Sequence, residues 1–502
     1  MALVCSLLLW ASGDSGAGST RAWTTASYAD FDKGEAEDAL ITSDGEVMPG
    51  LGKTRVDLET DAIWSMEYAS DGTIYAGAVA DGQIFAIRDG KQRKLVSLGE
   101  DSPWIGSLVS DDKTLYAGTL GTGAVHAINR ATGKAALLVH LADAEHVWAL
   151  ALDAGGKTLY AATGPEGKLF AIDIAKKQAR VVWTAEDKHL FSLLRAKDGA
   201  LWIGTADEAI LYRFDPKDKN ARAIADFAGT EIKAIVQVGD AFVVATNDFE
   251  RQTTDSPSPP KPKGATGEKA KPPAAGSKPG SEKEVPLPAR KGGKKAKGAL
   301  FRVETSGTVE QLHALASGYF TSLTLDADGD VFAGAGAQGR VYQVRPDRTV
   351  LTAFDVPERQ VNAVSATRAG NLVFATGDAG AVYLSTRAAS KAAYTSDAFD
   401  TKGPSRWGNI RWRTTGDVVV ETRSGNTSKP GAGWSAWQKP DRPQPSGGQA
   451  RGGAVVSPPG RYLQYRVTWP KVGAASSARL REVTLYYLPQ NQRARVTEVA
   501  IK

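Results

Sequence analysis

Asp71-Gly72-Thr73-Ile74-Tyr75-Ala76-Gly77, followed by Gly82-Gln83-Ile84-Phe85, decides the fold. It reads as a tight turn, a buried strand, a second turn and a second strand. Asp-Gly supplies a positive φ without a Cβ clash. The β-branched and aromatic residues fill the strands. The phrase recurs. Its first-strand anchors are Tyr75, Tyr116, Tyr160, Trp202, Val244, Phe332 and Val373, and its second-strand anchors are Phe85, His126, Phe170, Tyr212, Phe301, Tyr342 and Tyr383. Six copies hold their two anchors ten residues apart; in the fifth the spacing is 57, so 47 residues are inserted there. The steps between copies are 41, 44, 42, 42, 88 and 41, and the long step becomes 41 once the insertion is removed. A repeat of this length made only of short strands marks a β-propeller blade.

Each copy has an innermost strand before the phrase. One position there holds Ser65, Ser107, Ala149, Ser192, Ala234, Ser322 and Ala363, all Ser or Ala. Close packing near a ring axis accounts for this, and no function is assigned to it. The turn before the second strand carries Gly82, Gly123, Gly167, Gly298, Gly339 and Gly380, with Ala209 as the exception. No helix pattern follows these glycines, so they read as turns and not as phosphate loops. Thr54–Leu58 matches the last strand of a copy but has no copy of its own. It is expected to complete the seventh blade with residues 361–386, which closes the ring and removes its open edges.

The expected fold is therefore all-β: a seven-bladed β-propeller over residues 53–389 with an N-terminal closing strand, plus a β-sandwich over 390–502. Residues 23–52 read as lead-in strands through Phe31, Leu40, Ile41 and Val47. Residues 390–502 hold strand patterns rich in Trp and Tyr, such as Tyr462-Leu463-Gln464-Tyr465. Their aromatics are expected to fill a core, with a sugar-binding surface as the alternative. Residues 1–22 begin with a short apolar run, MALVCSLLLW, followed by small residues, and read as a signal peptide. Cys5 is the only cysteine and would leave with it. No stretch reads as a transmembrane helix. The expected location is periplasmic or extracellular.

The chain carries +5 overall. Between Arg251 and Gly298, twelve Lys/Arg against four Asp/Glu give +8, so the remainder is −3 and argues against nucleic acid as a partner. The segment 250–297, rich in Pro, Lys, Gly and Ala, is expected to be disordered, with weak electrostatic contact to anionic surfaces as its one functional reading. A monomer is expected.

The repeats resemble exported bacterial β-propellers of the NHL, WD40-like and two-component-regulator type, on the strength of the Asp-Gly phrase over about 53–386. The tail is similar to a module that follows such propellers, through Thr422–Thr427, Trp434-Ser435-Ala436-Trp437 and Arg461–Arg466. The resemblance implies the architecture and no particular activity.

Ligands of propellers usually meet the mouth of the central channel. Aligning the innermost strands gives one ring of Ala62, Trp104, His146, His189, Glu231, Tyr319 and Gln360, and a second of Trp64, Gly106, Trp148, Phe191, Lys233, Thr321 and Asn362. These positions break the repeat. The candidate ligand-binding residues are Trp64, Trp104, His146, Trp148, His189, Glu231, Lys233, Tyr319, Gln360 and Asn362. No nucleophile or cofactor motif is present, so the expected function is a non-enzymatic scaffold that binds a protein, a small molecule or a glycan at the channel mouth. The alternative is a lyase or hydrolase using His146, His189 and Glu231 as a metal set, as in streptogramin-lyase-like propellers.

Overall fold

The computed structural model describes residues 19–99, 104–249, 296–386, 389, 391–445, 450–470 and 478–490. Most of the segment expected to be a signal peptide (residues 1–18 of 1–22) and of the basic insertion (250–295) lies outside them. The structure is nearly all β, with one short helix, Tyr28–Phe31. Among the described residues no helix is long and apolar enough to cross a membrane.

Each copy of the phrase forms a four-stranded antiparallel unit. The first consists of Ile63–Tyr68, Ile74–Ala78, Gln83–Arg88 and Lys91–Ser97. The innermost strands of the others are Trp104–Ser110, Ala144–Leu152, His189–Arg195, Glu231–Val238, Tyr319–Leu325 and Val361–Ala366. Each innermost strand packs against that of the next unit, and Val361–Ala366 packs back on Ile63–Tyr68, so the units form a closed ring. The second strand, Ile74–Ala78, is buried along its whole length, because a neighbouring unit covers each face. The outermost, Lys91–Ser97, is mostly exposed and correspondingly polar.

Gly52–Asp57 pairs with Ala381–Thr386, and Val56 faces Val382. This is the expected closing strand. Arg55 adds an ion pair to buried Glu358, whose carboxylate also accepts the Tyr383 hydroxyl.

The turn chemistry follows the phrase. Asp71 Oδ1 accepts the Thr73 N–H at 3.1 Å, and Gly72 has φ +85°. Asp71 and Tyr75 also reach the next unit. Buried Arg130 donates to Asp71 at 2.5 Å, to the Tyr75 hydroxyl at 3.1 Å and to the Asp111 carbonyl at 2.7 Å. The second turn needs glycine for a further reason. Gly123 donates to the Glu145 carbonyl, and a Cβ there would lie 1.9 Å from the Ala144 carbonyl oxygen. Ala209 adopts the same positive φ, 54°, as the expected exception.

One register differs from the expected one. In the fifth unit Val244 faces Phe301, as Ala76 faces Phe85, so Val243 occupies the place of Tyr75. The anchor is one residue earlier than the sequence spacing suggests, and the insertion is one residue longer. Phe242-Val243-Val244 is an unbroken apolar run with no aromatic at the anchor itself to fix its phase.

Residues 21–49 do more than lead in. Arg21–Thr25 pairs with the strand Arg479–Pro489, which places Arg21 and Ala22 in the sheet. Glu35–Glu37 pairs with Ala392–Thr395. Ala39–Thr42 pairs with the outer strand Val350–Asp355 of the sixth unit. One sheet thus runs from the C-terminal strands through residues 39–49 onto the ring. Phe31, Ile41 and Val47 join the core of the C-terminal unit with Tyr394, Trp412, Tyr465 and Trp469, whereas Leu40 packs on the ring.

Candidate functional site

Every innermost strand carries a β-bulge at the same place. The register shifts fall between 63/65, 105/107, 147/149, 190/192, 232/234, 320/322 and 361/363. The bulged residues are therefore Trp64, Gly106, Trp148, Phe191, Lys233, Thr321 and Asn362, the second ring of the sequence alignment. A bulge takes one residue out of the ladder and re-aims its side chain. Here it also frees the preceding carbonyl. The neighbouring unit caps that carbonyl in six of seven cases. Ser65 donates to Ile105 at 2.8 Å, Ser107 to Val147 at 3.2 Å and Ser192 to Ile232 at 2.9 Å. Thr321 donates to Val361, Asn362 to Ile63 and Asn247 to Phe320. Three of the four Ser positions, Ser65, Ser107 and Ser192, are thus hydrogen-bonding as well as small.

The bulges surround a cavity of about 570 Å³ on the channel axis. Of the ten expected residues, Trp64, Trp148, Glu231, Lys233, Tyr319, Gln360 and Asn362 line it. Phe191, Phe249 and Thr321 line it as well. Trp104, His146 and His189 sit beside it. Trp104 is 45% exposed and lies 6.4 Å from the Trp64 ring. His146 and His189 flank Trp148, with ring centroids at 4.9 and 5.7 Å.

The polar contacts fix these groups in place. Trp148 Nε1–H donates to His189 Nδ1 at 3.1 Å, and the Gly121 N–H donates to His146 Nδ1 at 3.1 Å. Burial lowers the pKa of His189, which suits an imidazole that accepts at Nδ1. Tyr319 donates to Gln360 Oε1 at 2.6 Å. Asn247, buried opposite Glu231, donates to Glu231 Oε1 at 2.7 Å and brackets Phe320, accepting its N–H and donating to its carbonyl, each at 2.8 Å.

Lys233 is held by rings. Its Nζ lies 4.0 Å from the Phe191 centroid and 5.3 Å from that of Trp64, a cation–π arrangement. Desolvation lowers its pKa and the Glu231 charge opposes that shift. Desolvation raises the pKa of Glu231, opposed by Lys233 and the Asn247 hydrogen bond.

His146, His189 and Glu231 do not converge on one point. The imidazoles are 6.1 Å apart by centroid, and Glu231 turns to Asn247. Among the described residues no three His, Cys, Asp or Glu side chains come together as a metal set.

Asn247 and Phe249 were not among the expected residues. Asn247 occupies the place held elsewhere by Val79, Leu120, Gly164, Ala206, Gly336 and Gly377, so it is the one polar side chain in an apolar or glycine class. The one-residue slip in the fifth unit hides that signal.

In the C-terminal unit, Trp412, Trp469 and Tyr465 are core residues. Trp437 lies under two guanidiniums, with Arg423 at 4.4 Å and Arg466 at 4.7 Å from its centroid. The large exposed apolar residues described there are Val456 and Leu488, not aromatics.

No family model matches the chain, and no curated protein matches it. Solved structures do. The streptogramin B lyase structure aligns with a TM-score of 0.51 at 9% identity, covering 67% of this chain and 98% of that one. Virginiamycin B lyase from Staphylococcus aureus gives 0.50 at 10% identity, over 67% and 99%. The fold is a β-propeller. The extracellular domain of BT4673 from B. thetaiotaomicron gives 0.47 at 14% identity, over 74% of this chain and 42% of that one. At such identities the likeness is one of fold, and the propeller's function rests on its own site.

Proposed function

We propose that this propeller is an exported, non-enzymatic scaffold that binds a ligand in its axial cavity. In this reading residues 53–389 form seven blades, and residues 390–502 form a β-sandwich module. The observation that carries it is the lumen itself. About 570 Å³ is the size of a small-molecule site, walled by Trp64, Trp148 and Phe191 and offering a few fixed polar groups. Binding is favoured over metal-assisted hydrolysis because both histidines already accept N–H donors at Nδ1 and Glu231 is engaged by Asn247. Export accords with the apolar leader sequence, and the basic insertion would add weak contact with anionic surfaces.

The test is a ligand-observed NMR screen of a small-molecule fragment library on the full chain. Hits are expected to lose affinity in the Trp148→Ala, His189→Ala double variant, with little change in melting temperature. Unchanged affinity for every hit would sink the reading.

A further inference from the structure

Glu231 and Lys233 stand two residues apart on one strand, both face the lumen, and yet form no ion pair. Each is held elsewhere. Asn247 takes one oxygen of Glu231, and the Phe191 and Trp64 faces take the Lys233 ammonium. Among the described residues Lys233 Nζ has no hydrogen-bond acceptor. Both side chains are only partly buried, so a ligand entering the lumen can reach the ammonium and supply an acceptor. The same holds, with reversed sign, for the oxygen of Glu231 that Asn247 leaves open.

The two charges are therefore fixed apart with their facing sides unfilled. A molecule that carries a carboxylate and an ammonium on one carbon can offer one group to each residue through a hydrogen bond at each end. The rest of the wall nearest Lys233 is apolar and aromatic: Phe191, Trp64 and Trp148, with Phe191 and Trp148 in edge contact at 4.7 Å. A neutral or singly charged ligand would leave one of the two charges without a charge-assisted hydrogen bond.

We propose that the lumen takes a small zwitterion of the amino-acid class, its carboxylate on Lys233, its ammonium on Glu231 and an apolar side chain against the aromatic wall. This rests on the axial-binding reading and names its ligand class. No covalent step is involved.

Three probes separate the parts on the full chain by calorimetry or NMR titration: L-phenylalanine, 3-phenylpropanoate and 2-phenylethylamine. L-Phenylalanine should bind tightest. Lys233→Met should weaken L-phenylalanine and 3-phenylpropanoate by roughly tenfold or more. Glu231→Gln should weaken L-phenylalanine and 2-phenylethylamine to a similar degree and spare 3-phenylpropanoate. Lys233→Arg keeps the charge and should retain measurable carboxylate binding, which guards against a folding defect in the methionine variant. Equal affinities in wild type and both charge-removing variants would overturn the assignment, as would failure of all three probes to bind at millimolar concentration. Fragments from the library screen that depend on Trp148 but ignore Lys233 and Glu231 would leave the axial site standing and overturn only the zwitterion.

Discussion

Ser107 Oγ fills the space that a side chain on Gly118 would need: a Cβ at Gly118 would lie 2.6 Å from it. The two residues face each other across neighbouring strands. The same exclusion recurs around the ring. Ser65 faces Gly77, Ser192 faces Gly204 and Ser322 faces Gly334, whereas Ala149 faces Ala162, Ala234 faces Ala245 and Ala363 faces Ala375. Serine always meets glycine and alanine always meets alanine. The hydroxyl that caps the next unit needs its partner strand stripped of a Cβ.

This pairing makes a two-residue prediction. Ala149→Ser alone should cost about 1–3 kcal/mol by overpacking against Ala162. Ala162→Gly alone should cost about 0.5–1 kcal/mol through lost packing and backbone entropy. Together they should cost less than the sum, since the new hydroxyl can then reach the Leu190 carbonyl, the one bulge carbonyl without a described side-chain donor. Chemical denaturation of the four members of the cycle measures the coupling. Strict additivity would contradict the account.

Asn247 joins the fifth and sixth units through both its amide atoms. Asn247→Ala would strand the Phe320 N–H and carbonyl in a buried place and release Glu231. A loss of about 2–4 kcal/mol in unfolding free energy is expected. Hydrogen exchange at the Phe320 amide should accelerate more than exchange in the first unit.

Arg130 is 6% exposed and bridges the first two units through Asp71, Tyr75 and the Asp111 carbonyl. Arg130→Met should destabilise by about 3 kcal/mol, mostly through the polar groups it leaves unpaired. Asp71→Asn, whose acceptor survives and whose site is partly exposed, should cost well under half of that. Thermal melts of the two variants side by side decide this.

Asp355 lies at the seam between the ring and residues 32–36. Burial pushes its pKa up to about 6, opposed by Arg340, whose Nε is 3.4 Å away, and by the Ala36 N–H, with Glu35 adding to the rise. A raised carboxylate pKa means the folded chain takes up a proton before the unfolded chain does, whose Asp titrates near 3.9. As pH falls from about 6 to 4, this group therefore favours the folded state increasingly, by roughly 2–3 kcal/mol over the window. Asp355→Asn removes the proton uptake. The stability of wild type relative to Asp355→Asn should rise as pH falls through that window, and a flat difference would refute it.

Much of this was legible in the chain. The Asp-Gly phrase located the units because its turn, its strand alternation and its spacing agree. The closing strand was legible because Thr54–Leu58 repeats an outer-strand pattern without a unit of its own. The lumen was legible because Trp64, Trp148, Lys233 and Asn362 break a repeat that otherwise stays within one apolar class. Three things were not. The bulges were hidden because a register shift is a backbone feature: the Ser positions and the varied ring were visible, but not the freed carbonyls that connect them. Asn247 was hidden by a register that an apolar run leaves undetermined. Apart from the hairpin of Ala39–Thr42 with Val47–Pro49, the partners of residues 21–49 lie more than 300 residues away, and short alternating strands carry no label for which edge they will join.

That last pairing sets an order in time. Arg21–Thr25, Glu35–Glu37, Ala39–Thr42 and Gly52–Asp57 are synthesised ahead of every propeller repeat, yet their partners are Arg479–Pro489, Ala392–Thr395, Val350–Asp355 and Ala381–Thr386. The early strands must wait, with unpaired edges, until nearly the whole chain has emerged. Contacts of such sequence separation are slow to form and leave strand edges open to the wrong neighbour meanwhile. Ring closure and docking of the C-terminal unit should therefore come late, and a piece comprising residues 390–502 alone would lack the strands that complete its sheet.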